Sequence, residues 1–358
     1  MRRRRRPAVR HRRRRRARAP APALPRRRGG RPAPVARERG RAGGLRAAPR
    51  PAARRGRPPP AAPRLPRPQR RGARRGGGSL RDSRQGEEAG TVDGVIRTIK
   101  QNCRRCYTCV RACPAEAIRV EGGQAVVVPE RCIACGNCTM VCSQGAKAYE
   151  SGVERVAALL DGDRPVAALL APSFPAGFSE PAGRVAGALR AAGFARVVEV
   201  AHGADLVSAA YAAYLRQAGG GLHIATACPA VAEFVRKYRP DLCERLVPVV
   251  SPMVATALAV RRAYGDDVRC VFIGPCVAKK AEARDPALPP VVDEVLTVPE
   301  ARQLLAARGV EVGAAPEEGF DPPRAGRARV FPLPGGLVAS AGLESDIADP
   351  DVVVVSGR

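Results

Sequence analysis

The sequence predicts a small α+β domain with two metal-binding loops, then an α/β domain on a parallel sheet, both preceded by a disordered tail. Three observations predict this fold class. Eight of the twelve cysteines lie between Cys103 and Cys142 in two matching runs. From residue 151 onward, apolar strand-like segments alternate with amphipathic helical segments, which is typical of a parallel sheet covered on both faces. Residues 1–90 are mostly Arg, Pro, Ala and Gly.

The tail carries almost all of the net charge of +29. Residues 1–90 hold 32 arginines against four acidic residues, and the rest of the chain is nearly neutral. Such a segment cannot bury enough apolar surface to offset its ordering entropy, so it is predicted to be disordered. It has no aromatic residues to stack on bases, which argues against a nucleic-acid partner. We expect that it reflects translation of a high-GC gene from too early a start.

Residues 92–150 are predicted to form a ferredoxin-like two-cluster domain. Each run has the spacing Cys-x-x-Cys-x-x-Cys-x-x-x-Cys, in which three thiolates hold one iron–sulfur cube and the fourth reaches the other cube. The predicted ligands are Cys103, Cys106, Cys109 and Cys142 for one [4Fe–4S] cluster, and Cys132, Cys135, Cys138 and Cys113 for the other. The sequence therefore predicts two clusters with interleaved ligands.

Two other uses of these cysteines are weaker. Structural zinc sites usually pair two Cys-x-x-Cys knuckles across a longer gap. Disulfides need an oxidising compartment, and no secretory signal is present, so a cytoplasmic protein is expected. No run of about 18 apolar residues occurs, so no membrane span is predicted.

Short elements are predicted around the cysteines. Residues 94–100 should form a strand, Pro114 should open a short helix, and residues 117–121 and 124–128 should form a hairpin around a Gly-Gly pair. These segments have little core of their own. We therefore expect the clusters to supply much of the folding free energy of this domain.

Residues 151–358 are predicted to form the α/β domain. The predicted strands are 166–170, 196–200, 222–225, 268–273 and 291–297, and the predicted helices are 152–160, 181–192, 204–216, 254–263 and 299–308. Ligands of such sheets lie beyond the carboxyl ends of the strands. Because Cys228 and Cys276 each follow a predicted strand, they are expected at that edge.

Four segments of this domain resemble iron-only ([FeFe]) hydrogenases. Residues 226–229 read Thr-Ala-Cys-Pro, similar to the first family signature, Ser-Cys-Cys-Pro. Residues 275–282 read Pro-Cys-Val-Ala-Lys-Lys-Ala-Glu and resemble the second signature, Pro-Cys-x-x-Lys-x-x-Glu. Residues 171–173 resemble the opening strand of the family, and residues 335–337 its Gly-Gly-Val segment. A double-cluster domain directly upstream is also the family's arrangement.

The resemblance implies roles for four residues. Cys228 and Cys276 would be two of the four thiolates around a third [4Fe–4S] cluster, that of the active site. Lys279 would hydrogen-bond a cyanide of a two-iron unit. The Glu282 carboxylate would not touch that unit itself but would contact a residue that does. The alternative for Lys279 and Lys280 is a solvated surface pair.

The departures from the family pattern are equally informative. Ala227 stands where catalytic members carry the proton-relay cysteine, and a methyl group has no proton to transfer. Residues 207–216 contain no acidic residue, whereas catalytic members place proton-path glutamates nearby. The chain also ends before the third signature, with its two further ligand cysteines. Because residues 351–355 read as a strand entering a fold, a truncated or frameshifted reading frame is expected.

These features favour an iron–sulfur protein of the sensory or electron-transfer type, with an unidentified redox partner and a signalling partner if it senses H₂ or redox state. Three alternatives stay open: a catalytic hydrogenase completed by another polypeptide, an iron–sulfur assembly factor, and a nucleic-acid-binding protein that uses the arginine tail. The sequence does not decide whether the chain is an enzyme.

Overall fold

The computed structural model describes residues 94–343 and 352–355. The arginine-rich tail, residues 1–90, lies outside the described residues, so its disorder stays a prediction. Within the described part of the chain, no helix has both the length and the apolar character needed to cross a bilayer.

The cluster-binding part is built from short elements. These are β1 (Ile96–Thr98), α1 (Thr108–Arg111), β2 (Ile118–Glu121), β3 (Gln124–Val127), α2 (Asn137–Met140) and β4 (Lys147–Tyr149). Strand β1 pairs antiparallel with β4, and β2 pairs antiparallel with β3. The turn between β2 and β3 places Gly122 and Gly123 at φ 53° and 78°, the left-handed backbone that a tight hairpin turn requires. The predicted hairpin is confirmed.

The two halves of this part repeat each other in backbone conformation. Each position has its counterpart 29 residues later, as Cys103 has in Cys132. Left-handed residues occupy equivalent positions in both halves: Arg105 and Ala134, Tyr107 and Gly136, and Glu116 and Gly145, with φ between 46° and 78°. Because non-glycine residues rarely adopt this backbone, its recurrence indicates that each loop has one required shape.

The prediction that a short helix opens at Pro114 is wrong. Helix α1 ends at Arg111, and the chain turns through Pro114 into β2. The fourth cysteine of each run explains the difference, because its sulfur accepts the amide N–H four residues later. Ala117 donates to Cys113 Sγ and Ala146 donates to Cys142 Sγ, each over 3.3 Å. The single helical turn instead carries the third cysteine of each run.

The α/β part contains a four-stranded sheet. Its elements are α3 (Val153–Leu160), β5 (Val166–Leu170), α4 (Ala182–Ala191), β6 (Arg196–Glu199), α5 (Val200–Ala218), α6 (Pro229–Tyr238), α7 (Pro252–Tyr264), β7 (Arg269–Ile273), α8 (Ala278–Glu282), β8 (Glu294–Leu296), α9 (Val298–Ala307) and α10 (Gly336–Ser340). The strand order is β6-β5-β7-β8, and all neighbouring pairs are parallel. The predicted parallel sheet is confirmed.

Helices cover both faces of the sheet. Alternate side chains of β5 point to opposite faces: Val166, Ala168 and Leu170 pack with α3, α4 and α9, while Ala167 and Leu169 pack with α7. Every residue of β5 is buried. This two-sided burial explains why the strand sequences are continuously apolar rather than alternating.

The strand predicted at residues 222–225 is wrong. Ile224 makes an isolated bridge to Leu246 and does not join the sheet. Three glycines precede this segment and Leu222 is exposed, so the segment has neither the stiffness nor the burial of a central strand. Cys228 therefore does not follow a sheet strand, whereas Cys276 follows β7 as expected.

Candidate metal centres

Four predicted ligands line one small cavity of the cluster-binding part. They are Cys113, Cys132, Cys135 and Cys138, and apolar side chains such as Ile118 complete the walls. Cys113 comes from the first run and the other three from the second. The fold thus gathers the interleaved set rather than four consecutive cysteines. Four thiols around an apolar cavity are the donor set of a [4Fe–4S] cube, so the residues present fit that group.

The other predicted set also crosses between the two runs. Burial raises the pKa of Cys109, and the neighbouring Cys142 thiolate raises it further. Cys103 lies close enough to Cys106 for their charges to interact. Cys106 is exposed, whereas Cys109 is buried. The chain therefore brings Cys142 to the first loop, which opens to solvent at Cys106.

Backbone amides point at the thiols of the first loop. Hydrogen bonds from the amides of Ala125 and Arg105 lower the pKa of Cys103. The amide and hydroxyl of Thr108 lower the pKa of Cys106. Successive amides turned inward by left-handed residues form a concave anion site, a geometry that recurs at iron–sulfur centres. The first loop thus lowers the pKa of Cys103 and Cys106, whereas the pKa of Cys109, which is buried, is raised.

The second loop behaves differently because it is deeper. Burial raises the pKa of Cys132 and raises the pKa of Cys138 to about 12. These thiols hold their protons near neutral pH until a cation compensates the buried charge. Metal binding at this set must therefore release protons.

The spacing of the thiols bears on the zinc alternative. Within the residues that the structure describes, no three His, Cys, Asp or Glu side chains are placed to share one metal ion. Zinc needs its thiolates within about 2.3 Å of a single ion, whereas a cube spreads four thiolates over four irons. The geometry favours the cube.

A buried lysine serves both thiol sets. Lys147, on β4, is 5% exposed, and its ammonium donates to Thr98 Oγ1 over 2.5 Å and to the Ala125 carbonyl over 2.7 Å. Its charge lowers the pKa of Cys103 and Cys109 in one set and of Cys138 in the other, although larger effects precede it at each thiol. One fixed positive charge thus offsets part of the negative charge of both sets.

The cysteine loops pack directly against the α/β part. At the C-terminal end of α6, Lys237 donates to the Cys132 carbonyl over 2.7 Å. The Tyr238 hydroxyl lies within hydrogen-bond distance of the Ala115 and Arg131 carbonyls, and its one proton is donated to either of them. At another point, a Cβ on Gly136 would lie 3.1 Å from Val277 Cγ2. The second thiol set is therefore the one nearest the α/β part.

Cys228 and Cys276 lie at this junction. Cys228 is the N-cap residue of α6, and Cys276 directly precedes Val277. Burial raises the pKa of Cys276, and the charge of Cys228 adds to that effect, so the two sulfurs are neighbours. Cys228 is exposed, whereas Cys276 is half-buried. The two thiols that the resemblance paired are together in the fold.

The solvated alternative for Lys279 and Lys280 is wrong, because both are buried. Lys279 Nζ donates to Glu282 Oε2 over 2.6 Å.

Lys280 Nζ donates to Glu300 Oε1 over 2.9 Å and to the Val295 carbonyl. Glu300 also accepts the amides of Gly152 and Thr297, so this network joins α8, α9 and the segment that leaves the cluster-binding part.

A larger cavity of about 250 Å³ lies beside this junction. Its lining includes Thr226, Ser251, Glu282 and, from the second cysteine loop, Ile133. The Ser251 hydroxyl is buried and has no hydrogen-bond partner among the described residues. The cavity therefore offers a polar atom close to both candidate centres.

Sequence reasoning missed the residues that hold these sites together. Lys147 sits in an ordinary Lys-Ala-Tyr strand, and Lys237 and Tyr238 end a helix with a charged surface pattern. Nothing in the local sequence marks them, because their partners, mostly backbone carbonyls, are far away in the chain. The one usable signal is the 29-residue repeat, which gives Lys147 a counterpart in Ile118. A lysine at the position of a buried isoleucine is unusual.

Two family models match the chain. One is described as "Iron only hydrogenase large subunit, C-terminal domain" and matches residues 164–352, and the other is "4Fe-4S dicluster domain" over residues 95–143. Among curated proteins, an "Iron-sulfur protein" of Rhodospirillum rubrum is 41% identical over 16% of this chain and 30% of its own length. An uncharacterized ferredoxin of Methanocaldococcus jannaschii is 40% identical over 17% of this chain and 43% of its own length.

Among solved structures, the [FeFe]-hydrogenase HydA1 of Chlamydomonas reinhardtii is 23% identical, covering 58% of this chain and 62% of that one, with a TM-score of 0.46. The chain spans less than half of each of these two curated relatives and under two thirds of this hydrogenase.

Proposed function

The chain belongs to the iron-only hydrogenase large-subunit family, and from that premise we propose that it is an iron–sulfur electron-transfer protein with a sensory role. Single electrons would pass through two [4Fe–4S] clusters toward a site at Cys228 and Cys276. The observation that carries this proposal is the cavity in which Cys113 joins Cys132, Cys135 and Cys138. Such clusters, when bound, supply one-electron oxidation and reduction.

The protein's own residues stabilise the negative charge of the thiolates in a site that is partly shielded from water. The inward amides around Cys103 and Cys106 favour the thiolate form, and Lys147 offsets negative charge on both sets. Apolar walls around Cys138 exclude water. Hydrogen bonds, burial and nearby charge are the means by which a protein tunes such a centre.

The proposed route for electrons follows the packing. The first set opens to solvent at Cys106, and the second set abuts Val277 and α6. Cys276 is the residue before Val277, and Cys228 caps α6. An electron that leaves the second set would therefore meet these two thiols next. We propose that they are two of the ligands of a third cluster, with Lys279 and Glu282 beside it.

Electron transfer and sensing are favoured over rapid H₂ turnover by the surroundings of Ala227. The neighbouring Thr226 hydroxyl is engaged by the carbonyls of Val247 and Val249, and it also bonds the Tyr211 hydroxyl over 2.9 Å. Burial raises the pKa of Tyr211. A methyl group flanked by engaged hydroxyls is a poor proton relay.

Iron counting in paired cysteine variants tests the proposal. The anaerobically reconstituted protein should hold about eight irons if only the two ferredoxin-type sites fill. Cys109→Ser with Cys113→Ser should lose both clusters, because the interleaved assignment places these residues in different sets. Cys113→Ser with Cys132→Ser should lose only one and retain about four irons.

Cys243→Ser is the matched control and should keep the full iron content. An iron content near zero in the unsubstituted protein would overturn the proposal. Loss of a single cluster in the Cys109/Cys113 pair would overturn the interleaved assignment.

A further inference from the structure

The 29-residue repeat relates the two cysteine loops down to individual hydrogen bonds. Ile99 donates its amide to the Ala146 carbonyl over 2.8 Å, and its counterpart Val128 donates to the Ala117 carbonyl over the same distance. The two amide-to-sulfur bonds of the fourth cysteines are also equal in length. Because the loops are built alike, a difference between the two centres has to come from the positions at which the repeat is broken.

One such position lies directly before the third cysteine of each run. Thr108 precedes Cys109, and its counterpart Asn137 precedes Cys138. Thr108 is the first residue of α1 and Asn137 the first residue of α2. The two side chains therefore start from equivalent places in the two loops.

The Thr108 hydroxyl is directed to a cysteine sulfur. Its oxygen accepts a hydrogen bond from the Arg111 guanidinium over 3.5 Å, and its proton is donated to the Cys106 sulfur. Cys106 is the exposed member of the first set. Hydrogen bonds to the sulfurs are among the factors that set the potential of an iron–sulfur cluster, because they stabilise negative charge.

The Asn137 side chain is engaged elsewhere. Its Nδ2 donates to the Ala112 carbonyl over 2.5 Å, in the other cysteine run. Its Oδ1 is buried, has no hydrogen-bond partner among the described residues, and carries no proton to donate. The amide is thus committed to Ala112 rather than to Cys135, the counterpart of Cys106.

The surroundings of the two sets act in the same direction. Apolar side chains, among them Ile118 and Val127, line the cavity of the second set, whereas Cys106 meets solvent. Solvent exposure also sets cluster potentials, and an apolar wall stabilises added negative charge less. Lys147 breaks the repeat too, but its charge reaches thiols of both sets and so does not by itself order the two potentials.

We propose that Thr108 and Asn137 make the two clusters unequal, so that the cluster held by Cys106 takes up an electron at a higher potential than the cluster held by Cys138. This inference rests on the proposed function. Each reduction adds one electron from the reductant to one cluster, and no bond forms or breaks. The first electron then stays at the outer set until the supply is reducing enough to fill the second set, which abuts the α/β part. The pair would act as a redox threshold.

An anaerobic redox titration of the full-length, cluster-loaded protein with dithionite, monitored by EPR, tests the proposal. Thr108→Val removes the hydroxyl and should lower only the higher of the two midpoint potentials. At a fixed potential, the ratio of reduced to oxidised first cluster should fall about tenfold, which is about 59 mV for one electron. Thr108→Ser keeps a hydroxyl and should stay within about twofold of the unsubstituted protein.

The second loop supplies the matched controls. The Thr139 hydroxyl donates to the Gly136 carbonyl over 2.7 Å, so Thr139→Val should move neither midpoint by more than about twofold in the same ratio. Asn137→Thr and Asn137→Val both lose the bond to Ala112 and differ in one hydroxyl. The lower midpoint should be higher in Asn137→Thr than in Asn137→Val, by about tenfold in the ratio, because the hydroxyl can reach Cys135.

The outcomes separate the two proposals, and iron content is measured on every protein. A chain without iron after reconstitution defeats the proposed function. Full iron with both midpoints unchanged in Thr108→Val overturns the inference alone. A shift of the lower midpoint instead of the higher one in Thr108→Val reverses the order of the clusters and overturns it as well.

Discussion

Lys147 is a single residue whose charge acts on both thiol sets. It is a buried cation with two hydrogen bonds to the protein and thiols of both sets around it. A unit charge roughly 8 Å away, at an effective dielectric of about 20, contributes about 2 kcal/mol. That energy favours the more negative, reduced state of any cluster nearby.

Replacing Lys147 by Met should therefore lower the midpoint potentials of both clusters. The loss of the positive charge destabilises the reduced state by about 2 kcal/mol at each cluster. EPR-monitored redox titration of the loaded protein measures the change. Lys100→Gln removes an exposed charge of the same sign and should have a much smaller effect. Unchanged potentials at full iron content would contradict this role.

Glu300 is a buried carboxylate whose hydrogen-bond donors lower its pKa by more than burial raises it. Burial alone would raise the pKa of Glu300, but hydrogen bonds from Thr297, Gly152 and Lys280 hold it below its ordinary value. Its contribution to stability is thus complete above the unfolded-state pKa, about 4.5. It is lost as pH falls through the lower folded-state pKa.

Glu300→Gln should lower the unfolding free energy by about 3 kcal/mol, because the fully buried Lys280 loses its counter-charge. Anaerobic thermal unfolding measures this as a drop of several degrees in the midpoint. The difference in unfolding free energy between the variant and the unsubstituted protein should not change between about pH 5.5 and 8, since Glu300 is ionised throughout this range. A clear slope in that window would contradict the low pKa. Glu233→Gln, in a partly exposed pair, should cost less than about 1 kcal/mol.

At the scale of elements, the loop around α2 depends on close contact with the segment after β7. Gly136 has φ 78°, and an added Cβ would meet the packed side chain of Val277 at 3.1 Å. Gly145, at the end of the same run, has φ 60° and open space around it. The two glycines share a backbone requirement and differ in their surroundings.

Gly136→Ala should therefore be more damaging than Gly145→Ala. Both add left-handed strain of about 1 kcal/mol, and Gly136→Ala adds an overpacking cost of about 1–3 kcal/mol at the junction. The temperature at which the cluster absorbance is lost under anaerobic conditions reports both. Equal losses in the two variants would show that the contact with Val277 contributes nothing.

The elements that the sequence predicted correctly are those with a local cause. The Gly-Gly turn and the buried run of β5 carry their own signals, in backbone freedom and in apolar composition. The prediction of a helix at Pro114 was wrong because the Cys113 sulfur accepts the hydrogen bond from the Ala117 amide that a helix would have used, and no sequence pattern indicates that bond. Helix α6 was not predicted, although Pro229 at its first position is typical of a helix start.

At the scale of the whole molecule, the two parts differ in how they are stabilised. The α/β part has two apolar cores, one on each face of its sheet. In the larger core of the cluster-binding part, two of the six buried residues, Cys109 and Cys138, are themselves predicted ligands. The short elements predicted around the cysteines, with little core of their own, already indicated this difference, and the cores show how little apolar packing residues 94–150 supply.

Removing iron should therefore unfold one part and spare the other. After anaerobic chelation, limited proteolysis should cleave within residues 94–150 at least about tenfold faster, because metal binding supplies folding free energy there. The α/β part should resist digestion as before. Mass spectrometry of the fragments locates the cuts. Protection of residues 94–150 without iron would show that apolar packing suffices.

Helix α6 connects Cys228 to the second cysteine loop. Its ten residues form a rod about 15 Å long, with Cys228 at one tip and the carbonyls of the second cysteine loop clasped at the other. The contacts at the C-terminal end anchor the helix, so a change in the second cysteine loop would also displace Cys228 at the N-terminal end.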